Sequence, residues 1–243
     1  LIRDAIHAPP SEDGLYSERV IRLPADVFVY TPPAYAPPVS PPPCLANGYA
    51  TLGCVNALAK ISPKAVASWY EILQASPSSR FVLAAPTLKY ADARARYLDL
   101  FAQGGIAPER IDLLGETDHA SQLQRYAKID LILDSFPYSG GLSTLEALWM
   151  GVPVITFPGD RMCARHSACH LHFLGRPELI AATVQDYAKL AGELARDPAR
   201  LGSLRTSLRQ EMAESSLVNI ASYAEHFYQL LFRTCLNTNE SLG

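Results

Sequence analysis

The stretch Asp134-Ser-Phe-Pro-Tyr-Ser-Gly-Gly-Leu-Ser-Thr-Leu-Glu-Ala-Leu-Trp-Met-Gly-Val-Pro-Val-Ile-Thr-Phe157 decides the fold. It continues an apolar run at 130–134 and reads glycine turn, helix over 143–150, glycine, and a second strand over 153–157. Both strands are continuous apolar runs, the pattern of a parallel sheet covered by helices on both faces. A turn feeding a helix leaves free N–H groups and the positive end of the peptide dipole facing outward, which favours phosphate. Gly140 and Gly141 allow close backbone approach, and Ser143 and Thr144 add hydroxyls and amides at the helix start. The dipole alone contributes only about 0.3–2 kcal/mol, so a cation should assist. Glu146, in the first helical turn, would repel a phosphate unless aimed elsewhere. Ribose hydroxyls are a natural target, since one carboxylate accepts two of them. The plainer alternative is a crossover whose glycines only make a tight turn and whose acid complements the helix dipole. No GxGxxG follows a strand, so this is not the NAD fingerprint.

Outward from this stretch, strand and helix patterns alternate. Strands are expected at 50–55, 80–85, 110–114, 130–134 and 153–157, and helices at 63–75, 91–103, 119–127 and 143–150. Ser62 followed by Pro63 is a helix-start signal. The alternation predicts an α/β fold with a doubly wound parallel sheet. Beyond residue 160 the pattern is helical, over 161–171, 184–196, 198–214 and 218–234, with apolar faces that pack onto the sheet or, alternatively, form a dimer surface. The first 48 residues are weakly patterned and end in a proline tract at 31–43, which must be extended. The expected organisation is therefore a proline-rich strap (1–48), a Rossmann-like core (49–160) and C-terminal helices completing the same domain (161–243).

Ligands of such sheets bind outside the carboxyl ends of the strands, which directs attention to the loops after 55, 85, 114, 134 and 157. The segment Gly53-Cys-Val-Asn-Ala-Leu-Ala-Lys-Ile-Ser-Pro63 meets that restriction. Its loop offers Asn56 and Lys60, and the Lys60 ammonium at the mouth of the sheet could neutralise a diphosphate. An ordinary surface lysine is the alternative.

Composition narrows the class. With 243 residues, 49% hydrophobic, and a formal charge of -3, the chain reads as a globular protein with no nucleic-acid partner. No apolar run approaches a membrane span, and the start at Leu1 resembles no signal peptide. The absence of an initiator Met points to a piece of a longer protein. Five scattered cysteines without a CxxC imply reduced thiols and a cytoplasmic location. Six histidines without ligand spacing give no reason to expect a metal.

Several segments together resemble the C-terminal catalytic half of the O-GlcNAc transferase family, whose bacterial members often carry tetratricopeptide repeats. They are Tyr16-Ser-Glu-Arg19, the proline tract, Asn56-Ala-Leu-Ala-Lys-Ile-Ser-Pro63, Asp130-Leu-Ile-Leu-Asp134, Phe136-Pro-Tyr138 and Glu146-Ala-Leu-Trp-Met-Gly-Val-Pro153. The resemblance implies the second Rossmann-like domain of a GT-B glycosyltransferase, whose partner is a missing N-terminal catalytic half. It implies transfer from UDP-GlcNAc, or another UDP-sugar, to serine or threonine hydroxyls of a protein acceptor. The mechanism would be inverting, with no metal and no cofactor beyond the donor; Glu116-Thr-Asp118 is the nearest approach to a chelating DxD.

By position, the resemblance makes Lys60 the catalytic lysine at the diphosphate. Ser143 and Thr144 fall in the stretch that cradles the phosphates, Glu146 at the ribose, and Thr117, His119 and Arg125 around the uracil; Asn56, Gln122, Gly140 and Gly141 complete the expected donor-binding set. Departures are also visible. Gln122 and Gly141 stand where animal enzymes carry histidines, Ala57 where they carry glutamine, and Leu142 interrupts a run of threonines. These changes leave open a degenerate transferase acting as a nucleotide- or protein-binding module.

Overall fold

The computed structural model describes residues 1–240. Near the N-terminus, β1 (Ile2–Arg3) and β2 (Ile21–Arg22) pair in parallel as a small separate sheet. The proline tract then leads to a short helix, α1 (Cys44–Asn47), closed by Gly48 at φ 74°, a left-handed conformation that glycine adopts without strain.

The core follows as β3 (Thr51–Cys54), α2 (Pro63–Ala75), β4 (Arg80–Ala84), α3 (Ala91–Gln103), β5 (Ile111–Leu114), α4 (His119–Arg125), β6 (Leu131–Leu133), α5 (Leu142–Trp149) and β7 (Val154–Ile155). Four helices complete the chain: α6 (His166–Phe173), α7 (Val184–Ala195), α8 (Pro198–Glu214) and α9 (Ile220–Glu240).

The core sheet is parallel, in the order β5-β4-β3-β6-β7. The chain winds outward from β3 through β4 to β5, then returns to the other side of β3 with β6. This is the doubly wound α/β fold, with its switch point between β3 and β6. Leu52, Phe81, Leu83, Leu131, Leu133 and Val154 are fully buried, which accounts for strands that read as unbroken apolar runs.

Capping side chains set several helix starts. Ser62 Oγ accepts from Ala65 N, Asp118 Oδ1 from Ser121 N, Thr183 Oγ1 from Asp186 N, and Asp197 Oδ1 from Arg200 N. By contrast, α5 begins at Gly141 with no side-chain cap. Its leading amides are therefore left for another partner.

The N-terminal segment is bound to the core by buried polar groups. The Arg205 guanidinium of α8 donates to Ser40 O (2.8 Å), Ile129 O (2.5 Å) and Tyr126 O (2.9 Å), so it holds the proline tract against the sheet. Burial lowers its pKa to about 10.

The strands are shorter than expected, β7 holding only Val154–Ile155 of 153–157, and β1, β2 and α1 carry no signal in the sequence; the helices differ too. The helix expected at 161–171 is split into a 3-10 turn, Met162–Ala164, and α6, because the Arg165 side chain turns back to Gly159 O, Asp160 O and Glu12. The helix expected at 119–127 ends at Arg125 and tightens into a 3-10 turn. The last helix continues past residue 234. No described helix is long and apolar enough to cross a membrane.

Candidate functional site

The loops after β3 and β6 lie side by side at the switch point, and Asp134 joins them. Its Oδ1 accepts from Asn56 Nδ2 (3.0 Å), Ser135 N (2.9 Å) and Gly140 N (2.8 Å), while its Oδ2 accepts from Thr156 Oγ1 (2.7 Å). Burial pushes the Asp134 carboxyl up, and these donors pull it back. Asn56 is itself buried and accepts from Ser143 Oγ at 2.6 Å. One carboxylate thus sets the position of the glycine turn relative to β3.

Lys60 closes a 3-10 turn, Leu58–Lys60, and reaches across to this turn. Its ammonium donates to Ser139 O at 3.1 Å and lies 4.1 Å from the centre of the Tyr138 ring. Burial lowers the Lys60 pKa, and the nearby Asp134 opposes that shift. A cation and an uncapped helix start therefore face the same small region from two loops.

The two glycines of the turn differ. A Cβ on Gly140 would lie 2.4 Å from Thr144 Oγ1 and 2.9 Å from Ser143 Oγ, so the protein itself fills that space. A Cβ on Gly141 would meet nothing within 4 Å, which leaves the backbone open to close approach there. The Thr144 hydroxyl is turned inward, 2.7 Å from Ser167 Oγ, and Thr144 is buried. Its backbone amide donates to Gly141 O at 3.0 Å, so both Thr144 donors already have partners and the open amides of this helix start are those of Leu142 and Ser143.

Beside the turn is a cavity of about 290 Å³ at the ends of β3, β4 and β5, lined by Val55, Ala85 and Gly115 among others. Thr117, His119, Gln122, Arg125 and Glu146 all line it. Glu146 is buried and takes a hydrogen bond at 2.7 Å from His119 Nε2, whose Nδ1 faces Tyr35 Oη at 2.7 Å. Arg125 donates to Gly115 O (2.8 Å) and Gln122 Oε1 (3.0 Å), which stiffens the outer wall. The eleven candidate positions thus form two adjoining groups, a cavity set and a turn set with Lys60, Asn56, Gly140, Gly141, Ser143 and Thr144.

Comparison with known proteins places this geometry. The model of glycosyl transferase family 41 matches residues 45–227. The chain belongs to this family. It is 38% identical over 229 residues to the probable UDP-N-acetylglucosamine–peptide N-acetylglucosaminyltransferase SPINDLY of Petunia hybrida, covering 93% of this chain and 24% of that protein. It is 27% identical over 177 residues to the UDP-N-acetylglucosamine–peptide N-acetylglucosaminyltransferase of Caenorhabditis elegans, covering 72% of this chain and 15% of that one. Among solved structures, a mutant of Thermobaculum terrenum O-GlcNAc transferase superposes with a TM-score of 0.94 at 33% identity, over 100% of this chain and 46% of that one. Sucrose-phosphate synthase from Thermosynechococcus elongatus shares the fold, at a TM-score of 0.65 and 18% identity, over 98% of this chain and 58% of that one. This family 41 chain therefore has the architecture of one Rossmann-like half of a GT-B enzyme. It spans about a quarter of the length of the curated plant relatives it matches.

Some residues of this family 41 site escaped the sequence reading. Asp134, Tyr138 and Ser139 were seen only as parts of motifs, and Tyr35 only as part of the proline-rich stretch. A buried junction beneath α6 was missed altogether. There, Asp4, His7, Asp26 and Cys169 place ligand-capable atoms within 4.8 Å of one another. These groups hold one another by hydrogen bonds rather than standing open. Asp4 Oδ1 accepts from the backbone of Ile6 and His7 (2.8 Å each), its Oδ2 faces His7 Nδ1 (2.6 Å), and Asp26 Oδ2 faces His170 Nδ1 (2.6 Å).

Proposed function

We propose that this chain is the donor-binding half of a glycosyltransferase that moves GlcNAc from UDP-GlcNAc to serine or threonine hydroxyls of proteins. The observation that carries this reading is the meeting of the Lys60 ammonium and the uncapped start of α5 at one glycine turn, next to a cavity with a buried carboxylate. Family membership and the activities for which the relatives are named support it. Because this chain covers a fraction of those relatives, the acceptor-facing half is assigned to the remainder of the protein.

On this reading the diphosphate sits between Lys60 and the Gly140–Thr144 turn, with Gly141 giving the closest approach. Uracil and ribose occupy the cavity, and Glu146 exchanges its bond to His119 for the ribose hydroxyls. An acceptor hydroxyl attacks the anomeric carbon on the side opposite the diphosphate, so configuration inverts, and the hydroxyl proton passes to a base of the acceptor-facing half or to solvent. The breaking C–O bond leaves its electron pair on a phosphate oxygen. Preorganised positive charge at that oxygen stabilises the transition state. Lys60 and the α5 amides supply this charge from the chain itself, which fits a reaction without a metal or further cofactor. Residues 49–160 serve as the core, residues 1–48 as its strap and 161–243 as its completion. The free thiols at Cys44, Cys54, Cys163, Cys169 and Cys235 suit a cytoplasmic setting.

One observation favours a second reading. Leu142, at the first position of α5, is 60% exposed and offers no side-chain hydrogen bond to an anion. A nucleotide-binding or protein-binding module that has lost turnover would tolerate this. The full-length protein, incubated with a panel of UDP-sugars and a protein acceptor and read by mass spectrometry, decides. Transfer identifies the enzyme and its sugar. UDP binding without hydrolysis or transfer from any donor identifies the module.

A further inference from the structure

The site has a neighbour that the proposed chemistry does not use. His166, the first residue of α6, is half-buried, and its backbone N–H donates to Ser139 Oγ at 3.0 Å. Its ring lies 5.8 Å, centre to centre, from the same Tyr138 ring that Lys60 covers. Its Nδ1 is 2.8 Å from His7 Nε2, and His7 Nδ1 is 2.6 Å from Asp4 Oδ2. Asp4 and His7 are fully buried. Among the described residues, nothing is hydrogen-bonded to His166 Nε2, and that atom is not buried.

We propose that His166, held in place by His7 and Asp4, is a proton relay between solvent and the donor: its Nε2 contacts the donor diphosphate beside Lys60 and takes up one proton from solvent as the donor binds. The proposal rests on the donor-site reading given above.

Proton placement follows from the hydrogen bonds. Burial raises the Asp4 carboxyl, but bonds from the His7 ring and backbone outweigh this and hold it well below the usual range. An ionised Asp4 requires a proton on His7 Nδ1. Burial lowers His166 to about 4, with the nearby Lys60 adding to the shift and Asp26 opposing it. In the unbound protein His166 is then neutral. With one proton in the 2.8 Å contact between the two rings and His7 Nε2 as acceptor, the proton belongs to His166 Nδ1. That leaves a lone pair on His166 Nε2.

A lone pair facing a phosphate oxygen is repulsive, whereas an added proton turns the contact into a charge-assisted hydrogen bond. The incoming negative charge also offsets Lys60, one of the groups that keeps His166 neutral. When the sugar departs, the anomeric C–O bond breaks and its electron pair stays on the phosphate oxygen. The relay proton then moves from His166 Nε2 to that oxygen, and His166 returns to its neutral form. His166 touches the substrate; His7 and Asp4 act through it and are positioning residues.

The test is calorimetric titration of UDP-GlcNAc in two buffers of different ionisation enthalpy, which counts protons taken up on binding. UDP-GlcNAc is the probe because UDP carries a terminal phosphate that itself titrates near pH 6. At about pH 6 the wild-type chain should take up close to one proton per donor bound. Its affinity should rise as pH falls, by at most about tenfold per pH unit. His166→Gln keeps an amide donor but cannot titrate, so it should bind with uptake near zero and a flat pH profile. Should that variant fail to fold, the histidine nitrogen-15 spectrum of the wild type replaces it, with the proton expected to appear on His166 Nε2 when donor is added. Donor binding without proton uptake, undiminished uptake in His166→Gln, or an unmoved His166 signal would each overturn the relay while leaving the donor site intact. Failure of UDP-GlcNAc to bind at all would overturn the donor site and the relay with it.

Discussion

At the scale of single residues, the site separates groups that would hold charge from groups that hold shape. Lys60 belongs to the first kind. Lys60→Ala in the full-length enzyme should lower kcat about 10²–10³-fold, roughly 2.7–4 kcal/mol, by analogy with loss of one preorganised donor at an oxyanion. A steady-state loss below threefold would remove Lys60 from the leaving-group role. Glu146→Ala should weaken UDP binding, and titration calorimetry showing unchanged affinity would refute the ribose assignment. Gly140 belongs to the second kind. Its missing Cβ is replaced by Thr144 Oγ1 and Ser143 Oγ, so Gly140→Ala should destabilise by about 1–3 kcal/mol through overpacking. Gly141→Ala should cost less stability, since its Cβ would enter open space, but should raise the Kd for UDP. Urea unfolding and UDP titration of the two variants distinguish these effects.

At the scale of elements, the N-terminal segment meets α6 through the Asp26–His170 pair and through His7, which Asp4 holds against His166, and acid should loosen it. The folded-state pKa of Asp4 lies below its ordinary value of 3.8. The unfolded chain therefore binds the proton first as pH falls. The stabilisation from Asp4 is full above that ordinary value and is lost as pH drops through the folded-state value. Asp4→Asn should cost about 1–3 kcal/mol near neutrality, the scale of hydrogen bonds to a charged group. The gap from wild type should narrow in urea titrations below about pH 4. An equal gap at both pH values would deny Asp4 this role.

The same elements show what could be read from residue order alone. The start of α2 was legible because Ser62-Pro63 is a local capping signal whose hydrogen bond spans three residues. The parallel sheet was legible because two-sided burial leaves unbroken apolar runs. The pairing of β1 with β2 was not, since two residues carry no periodicity. His7 and His166 were hidden for a related reason: they meet across 159 positions, and no spacing rule announces that contact. The inward turn of Thr144 depends on Ser167 of α6, which the site stretch itself does not contain.

At the scale of the molecule, the N-terminal segment, the sheet and the C-terminal helices share one buried cluster that runs from Tyr30 to Leu217. The two tryptophans sample it at different places. Trp69 of α2 is fully buried and donates to Tyr187 Oη of α7 at 3.1 Å, and Tyr187 in turn donates to Asp134 O at 2.9 Å. Trp149, at the end of α5, meets Tyr30 of the N-terminal segment at 6.5 Å and the Arg209 guanidinium of α8 at 5.2 Å. If the cluster acts as one cooperative unit, Trp69→Phe and Trp149→Phe, each leaving one reporter, should give coincident urea transitions after correction for each variant's own stability. Saturating UDP should then move both by the same free energy, about 2.7 kcal/mol at a hundredfold excess over Kd, since a ligand of the native state stabilises everything that unfolds with its site. An earlier transition at Trp149, unmoved by UDP, would show instead that the N-terminal segment and α8 open separately, and that donor binding is felt by the sheet alone.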